Sequence, residues 1–179
     1  SDVPPIDAAD KHVVILGGGD TGSDCLGTAL RQGAQHVTQI ELMPRPPEDP
    51  SPDTPWPQWP LVFRTSSSQE EGGERKWARM TTRLNGESGR IVSIDTVRVE
   101  PRVDPETGRM ALEEIPGSEE QIRCDVLILA MGYTGPLADL AAEQIGIDLD
   151  ERGRIVTTEG FRTTHPKVYV AGDAHRGAS

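Results

Sequence analysis

The stretch HVVILGGGDTGSDC, residues 12–25, restricts the possible folds more than any other part of this chain. An apolar, β-branched run, His12–Leu16, stops on three glycines. A short run without polar alternation reads as a strand covered on both faces. From Asp20 the period changes. Gly22, Cys25, Leu26, Ala29, Leu30 and Gly33 fall on one face of a helix. Small residues lead that face, so helix and sheet can approach closely, and Cys25 reads as packing. Gly33 predicts the helix C-terminal cap. HVTQIEL, residues 36–42, predicts a second strand. Strand, glycine turn, helix and strand follow one another within 31 residues. That order opens a doubly wound, Rossmann-like α/β domain of three layers.

Composition narrows the function. A chain of 179 residues can bury a core. Its 15 prolines and 19 glycines predict long loops. No apolar run reaches the ~18 residues of a membrane span, and Ser1–Asp10 carries no signal-peptide pattern. A net charge of −11 argues against nucleic acid or an anionic membrane as partner. The two cysteines, Cys25 and Cys124, form no C-x-x-C. They suit a reducing cytoplasm, and argue against an iron–sulfur cluster or structural zinc held by this chain alone. His12, His36, His165 and His175 have no metal-ligand spacing, so no metal site is expected.

The rest of the chain reads as follows. Residues 1–11 are a linker. Residues 44–60 hold eight prolines, which leaves no helix or strand, with Trp56 and Trp59 anchoring an irregular loop. Residues 66–76 are polar and carry no expected element. Trp77–Leu84 and Arg90–Glu100 predict a hairpin around NGESG, with a loop of about five residues. A turn at DPETG leads to RMALEEI and QIRC, giving an antiparallel β-meander inserted between the parallel halves. Val126–Ala130 predicts a buried parallel strand. Leu137, Leu140, Ala141 and Ile145 form a helix face stopping at Gly146. KVYVAGDAHRGAS, residues 167–179, predicts a strand entering a glycine turn, with the chain stopping where a helix should begin.

Gly17-x-Gly19-x-x-Gly22 sits between a strand and a helix, where glycines permit a tight turn, close phosphate approach and close helix packing. The helix N-terminus offers N–H groups and a positive dipole end to a pyrophosphate. The backbone of Gly17, Gly18, Gly19, Asp20, Thr21 and Gly22 is therefore the candidate cradle. Glu41 lies 19 residues beyond Gly22, near the spacing expected of a ribose-binding acid. Arg45, four residues on, is placed to pair with a 2′-phosphate. The cofactor is NADP or NAD, and the two remain alternatives. In VLILAMGYTGP the glycine leaves room for a cofactor ring or for the crossing of two chain segments, and on the first reading Met131, Gly132 and Tyr133 would lie near the nicotinamide side. In VYVAGDA, Gly172 and Asp173 stand at the carboxyl end of a strand, where a carboxylate accepts the hydroxyls of a flavin.

The segments VVILGGGDTGSDC, RQGA, PRPPEDPSPDTPWPQWPLVFR, EIPGSEE, LILAMGYTGP and VYVAGDAHRG together resemble the small (beta) subunit of glutamate synthase and the matching region of single-chain forms. The proline–tryptophan segment is more specific than the glycine motif. The resemblance implies an NAD(P)H-binding domain inserted in an FAD-binding domain. It implies hydride transfer from NAD(P)H to FAD, then electron flow through iron–sulfur clusters to a large subunit that makes glutamate. FAD belongs to the intact protein only. Residues 12–161 would be the NAD(P)H domain; 1–11 and 162–179 would lead to an FAD domain and iron–sulfur segment of the same polypeptide. The family's cysteine-rich segment and N-terminal FAD glycine motif are not in this sequence. Its usual GDCRRGQS reads GDAHRGAS here, with Ala174 and His175 at the changed pair. No catalytic side chain is expected, since the cofactors carry the hydride. The rivals are another FAD-dependent oxidoreductase and a non-catalytic, nucleotide-responsive interaction module.

Overall fold

The computed structural model describes residues 6–50, 62–106, 108–132, 138–151 and 153–176. The expectations for Trp56, Trp59, Tyr133 and Leu137 fall outside these residues. The chain divides into two compact units, residues 1–131 and 132–179.

The first unit is built on a parallel sheet of β1 (His12–Leu16), β2 (His36–Ile40), β3 (Glu74–Lys76) and β8 (Val126–Leu129), in the order β3-β2-β1-β8. Val13 pairs with Val37 on one side and Val126 on the other. Side chains alternate across a strand, so β1 feeds two cores. Val13 and Ile15 pack with Leu26 and Ala29 of helix α1 (Asp20–Arg31) and with Val37. Val14 packs on the opposite face with Ile40, Ile94 and Cys124. Each such fully buried aliphatic side chain stabilises the fold by roughly 1.5–3 kcal/mol. The unbroken apolar run is thus the mark of a strand covered twice.

The second cover is a sheet rather than helices. Strand β4 (Arg79–Glu87) pairs with β5 (Arg90–Val103), and β6 (Met110–Glu114) and β7 (Glu120–Arg123) return along the other edge of β5. Ile94 of β5 and Ile122 of β7 carry this sheet onto the parallel one. Helix, parallel sheet and antiparallel sheet make the three layers, so the meander that the sequence places as an insertion supplies the layer a doubly wound fold fills with helices.

Several expectations need correction. The β4–β5 loop has two residues, not five. Ser88 and Gly89 both have positive φ, 51° and 78°, the type I′ geometry that matches strand twist. Asn85 and Gly86 stay in the strand through a bulge, with Asn85 bonded to the Ser93 and Asp95 side chains. Strand β2 ends at Ile40, two residues early, and β4 starts at Arg79 rather than Trp77. Residues 66–76 are ordered into α2 (Ser67–Glu70) and β3. Ser66 and Gln69 form a reciprocal capping box, a signal carried by two polar residues that a hydrophobic pattern does not register. Strand β8 is parallel to β1, yet Leu129 is 63 % exposed, because β8 is the outer strand of the described sheet.

Helix α1 ends at Arg31 with Gln32 as its C-cap, and Gly33 takes φ 84° with its N–H on the Leu30 carbonyl, the expected glycine stop. Residues 6–11 dock beside it: Ala8 is buried in the α1-side core and the Asp10 N–H donates to the Gly33 carbonyl.

In the second unit, helix α3 (Ala138–Ile145) stops before Gly146, at φ 73°. Isolated bridges join Leu149 to Ile155, Thr157 to Thr163 and Arg162 to Tyr169. The strand expected from Lys167 is only the Arg162–Tyr169 bridge, since one bridge makes no ladder among the described residues. The expected helix already begins, as α4 (Asp173–Arg176).

Candidate functional site

The glycine turn is held by backbone contacts. Gly17 has φ 121°, and its N–H donates to the Ile40 carbonyl at 2.8 Å. A Cβ at Gly17 would lie 2.0 Å from the Ala130 carbonyl oxygen, and one at Gly22 would lie 2.2 Å from the Gly17 oxygen. Packing alone demands both glycines. Buried Gln39 braces the turn, donating from Nε2 to the Gly17 oxygen at 2.9 Å while its Oε1 accepts from Gln69 at 3.0 Å.

Gly19 is different. It is the N-cap of α1, extended at φ −77° and ψ −173°, with no side-chain cap hydrogen bond. Among the described residues, a Cβ there meets nothing within 4 Å. The first N–H groups of a helix have no partner inside it. Here they lie beside exposed Asp20 and Thr21. That is an anion-binding geometry: free donors, a positive dipole end and room for a phosphate.

Glu41 comes to the same turn. Its Oε2 accepts from the Gly18 N–H at 2.6 Å and its Oε1 from the Met43 N–H at 3.1 Å. Next to it is a shallow, open hollow lined by Gly18, Gln39, Glu41, Arg75, Lys76 and Trp77. Lys76 and Arg79 both pair with Glu120, at 2.5 and 2.8 Å, fastening this rim to the antiparallel sheet. Arg45 reaches the rim through aromatic rings. Its guanidinium lies 4.0 Å from the centre of Phe63 and 5.7 Å from that of Trp77, and it pairs with Glu48 at 2.5 Å.

The structure therefore gathers Gly17–Gly22, Glu41 and Arg45 in one region of the first unit. Met131 ends that unit and is 69 % exposed. Gly132, Gly172 and Asp173 belong to the second unit, where Gly132 and Gly172 have φ of 88° and 65°. Sequence reasoning did not single out Gln39, Phe63, Arg75 or Trp77 as site residues. Arg75 and Trp77 become neighbours of Glu41 only because β3 pairs beside β2, and nothing in the polar stretch before Trp77 announces that pairing.

Cys124 stays a thiol, since burial pushes its pKa up to about 11. Among the described residues no group of three or more His, Cys, Asp or Glu is placed to hold a metal ion. Among them no helix is long and apolar enough to cross a membrane.

Comparison with known proteins agrees with this geometry. Residues 74–178 match the family described as pyridine nucleotide-disulphide oxidoreductase. The chain is 43 % identical over 176 residues to the glutamate synthase [NADPH] small chain of Mycobacterium tuberculosis, covering 98 % of this chain and 35 % of that protein. It is 41 % identical over 182 residues to the glutamate synthase [NADH] of Schizosaccharomyces pombe, covering 97 % of this chain and 8 % of that one. The chain thus spans about a third or less of these curated relatives. Among solved structures it is similar to thioredoxin reductase of T. acidophilum, at TM-score 0.60 and 24 % identity, over 93 % of this chain and 45 % of that one. It is similar to Mycobacterium tuberculosis FprA in complex with NADPH at TM-score 0.59 and 17 % identity, over 97 % and 49 %. These two likenesses establish the fold. With the layers and the glycine turn in place, the match over residues 74–178 is decisive: the chain belongs to the pyridine nucleotide-disulphide oxidoreductase family, and glutamate synthase small chains are among its homologues.

Proposed function

We propose that this chain is the NAD(P)H-binding part of a glutamate synthase small subunit. In this reading it presents a nicotinamide to FAD held by the same polypeptide, and the electrons go on through an iron–sulfur segment to the large subunit. The observation that carries the proposal is the start of α1. Gly19 gives the helix no side-chain cap and meets no described residue, where packing requires Gly17 and Gly22 but makes no demand on Gly19. A pyrophosphate fits that combination.

Each residue then has a defined task. Gly17 and Gly22 set the turn, and the N–H groups from Gly19 to Gly22, with Asp20 and Thr21 between them, address the phosphates, while Gly18 positions Glu41. Glu41 already accepts from Gly18, and a carboxylate has lone pairs left for ribose hydroxyls. Arg45 stands on the 2′-phosphate side. Met131, Gly132 and Tyr133 serve the nicotinamide side, and Gly172 and Asp173 serve the flavin. Bound NAD(P)H supplies the hydride, so the protein contributes distance and orientation rather than an acid or base. Residues 12–161 form the nucleotide domain, with 1–11 and 162–179 leading to the FAD domain. Two free thiols, Cys25 and Cys124, suit a cytoplasmic setting.

The test is Gly19→Val. Calorimetry should show NADPH or NADH binding to the wild type and none to the variant, with the circular dichroism spectrum unchanged. In the full-length protein, glutamate formation from 2-oxoglutarate and glutamine should be lost while the flavin absorbance band remains. Undiminished binding by Gly19→Val would remove the proposed cradle.

A further inference from the structure

The region beyond Glu41 holds a cluster that the glycine turn does not explain. Arg45 and Arg75 lie over the same two rings. The Arg45 guanidinium is 4.0 Å from the centre of Phe63 and 5.7 Å from that of Trp77; the Arg75 guanidinium is 5.0 Å and 4.8 Å from them. Phe63 and Trp77 meet edge to face at 5.8 Å, so the rings form one platform under both cations. Two guanidiniums side by side repel unless an anion joins them. Arg45 has Glu48, but no carboxylate among the described residues pairs with Arg75, whose Nη1 donates to the Arg64 carbonyl at 3.4 Å. Desolvation, and after it the Arg45 charge, push the Arg75 pKa down. The nearest acid of the hollow is Glu41, and both its oxygens are engaged by the Gly18 and Met43 N–H groups. Arg75 and Trp77 line the same hollow as Gly18 and Glu41.

We propose that Arg75, acting with Arg45 above the Phe63–Trp77 platform, binds the adenosine 2′-phosphate and makes this chain select NADPH over NADH. The proposal rests on the nucleotide reading above and adds the choice between the two cofactors. A 2′-phosphate brings between one and two negative charges and several acceptor oxygens. Guanidinium forks suit such a group, and the rings beneath them keep the cations in place without neutralising them. Binding exchanges the Glu48 carboxylate on Arg45 for the phosphate, while Arg75 needs no such exchange. Arg75 is therefore the stronger discriminator, although it lies 30 positions after Arg45, on strand β3.

The test is calorimetry with NADPH and with NADH on the purified protein. The wild type should bind NADPH about tenfold or more tightly than NADH. Arg75→Gln should bring that ratio close to one with the NADH affinity held within about twofold, and Arg75→Lys should retain part of it. The retained NADH affinity reports that the variant is folded. Should Arg75→Gln not fold, the wild type decides by salt: the NADPH affinity must fall more steeply with ionic strength than the NADH affinity. Equal binding of the two nucleotides, an unchanged ratio in Arg75→Gln, or equal salt slopes would overturn the proposal while leaving the nucleotide reading standing. Binding of neither nucleotide would remove both.

Discussion

At the residue scale, neighbouring glycines in one motif answer to different forces. Gly17 combines a positive φ with a backbone oxygen 2.0 Å from where a Cβ would sit. Gly22 faces the Gly17 oxygen, another backbone atom that cannot step aside. At Gly18 the obstacle is the Glu41 carboxylate, the end of a flexible side chain. Gly19 meets no described residue. Gly17→Ala should therefore cost about 3 kcal/mol in urea denaturation, and Gly19→Ala should stay within about 0.5 kcal/mol of wild type. Equal losses would mean that the turn relaxes in a way these contacts do not allow. The sequence names all the glycines alike; only their neighbours separate folding from binding.

At the element scale, a short helix supports the turn from a distance. The Ser66 hydroxyl accepts from the Gln69 N–H at 3.2 Å, and Gln69 Oε1 accepts from the Ser66 N–H at 3.0 Å. Gln69 then bonds Gln39, which bonds the Gly17 carbonyl. Ser66→Ala removes half of the capping box and should cost about 1 kcal/mol. Gln69→Leu also takes a donor from buried Gln39 and should cost about 2 kcal/mol. Thermal melts of both variants check the order; a smaller loss in Gln69→Leu would count against the relay. Strands β1, β2 and β8 and helix α1 were legible because apolar period marks them. Elements α2 and β3 were not, because a four-residue capped turn and a three-residue edge strand carry little apolar signal. The tight hairpin was missed for a related reason: five turn-forming residues, Asn85–Gly89, outweighed the two that turn.

At the scale of the whole molecule, acid sensitivity follows from how the sheet is joined. The Asp125 carboxylate accepts from the His12 N–H at 2.8 Å, binding the approach to β8 to the start of β1. That bond, more than the nearby Arg123, holds the Asp125 pKa below the ordinary aspartate range. A depressed folded-state pKa stabilises above the unfolded value of about 3.9 and loses that contribution as pH falls through the folded value. Asp125→Asn should cost about 1 kcal/mol at neutral pH and flatten the decline below about pH 4. Urea midpoints across the acid range test it, and an equally steep decline in the variant would assign the acid limb to other carboxylates. The chain's net charge of −11 vanishes near pH 4.8, so solubility must be controlled in those measurements.

By itself, the sequence determined the opening βαβ unit, the antiparallel insertion, the glycine turn with Glu41 and Arg45, and the resemblance to glutamate synthase small subunits. All of these rest on local pattern: residue type at a spacing that one strand or one helix can read. Tertiary structure alone decided that a sheet rather than helices covers the second face of β1. It alone separated the glycines needed for packing from Gly19, and brought Arg75 and Trp77 beside Glu41. The physical reason is that β-pairing and close backbone approach join positions far apart in the chain. Arg75 on β3 is opposite Gln39 on β2 because their strands are hydrogen-bonded, and no periodicity within either segment encodes which strand its neighbour will be.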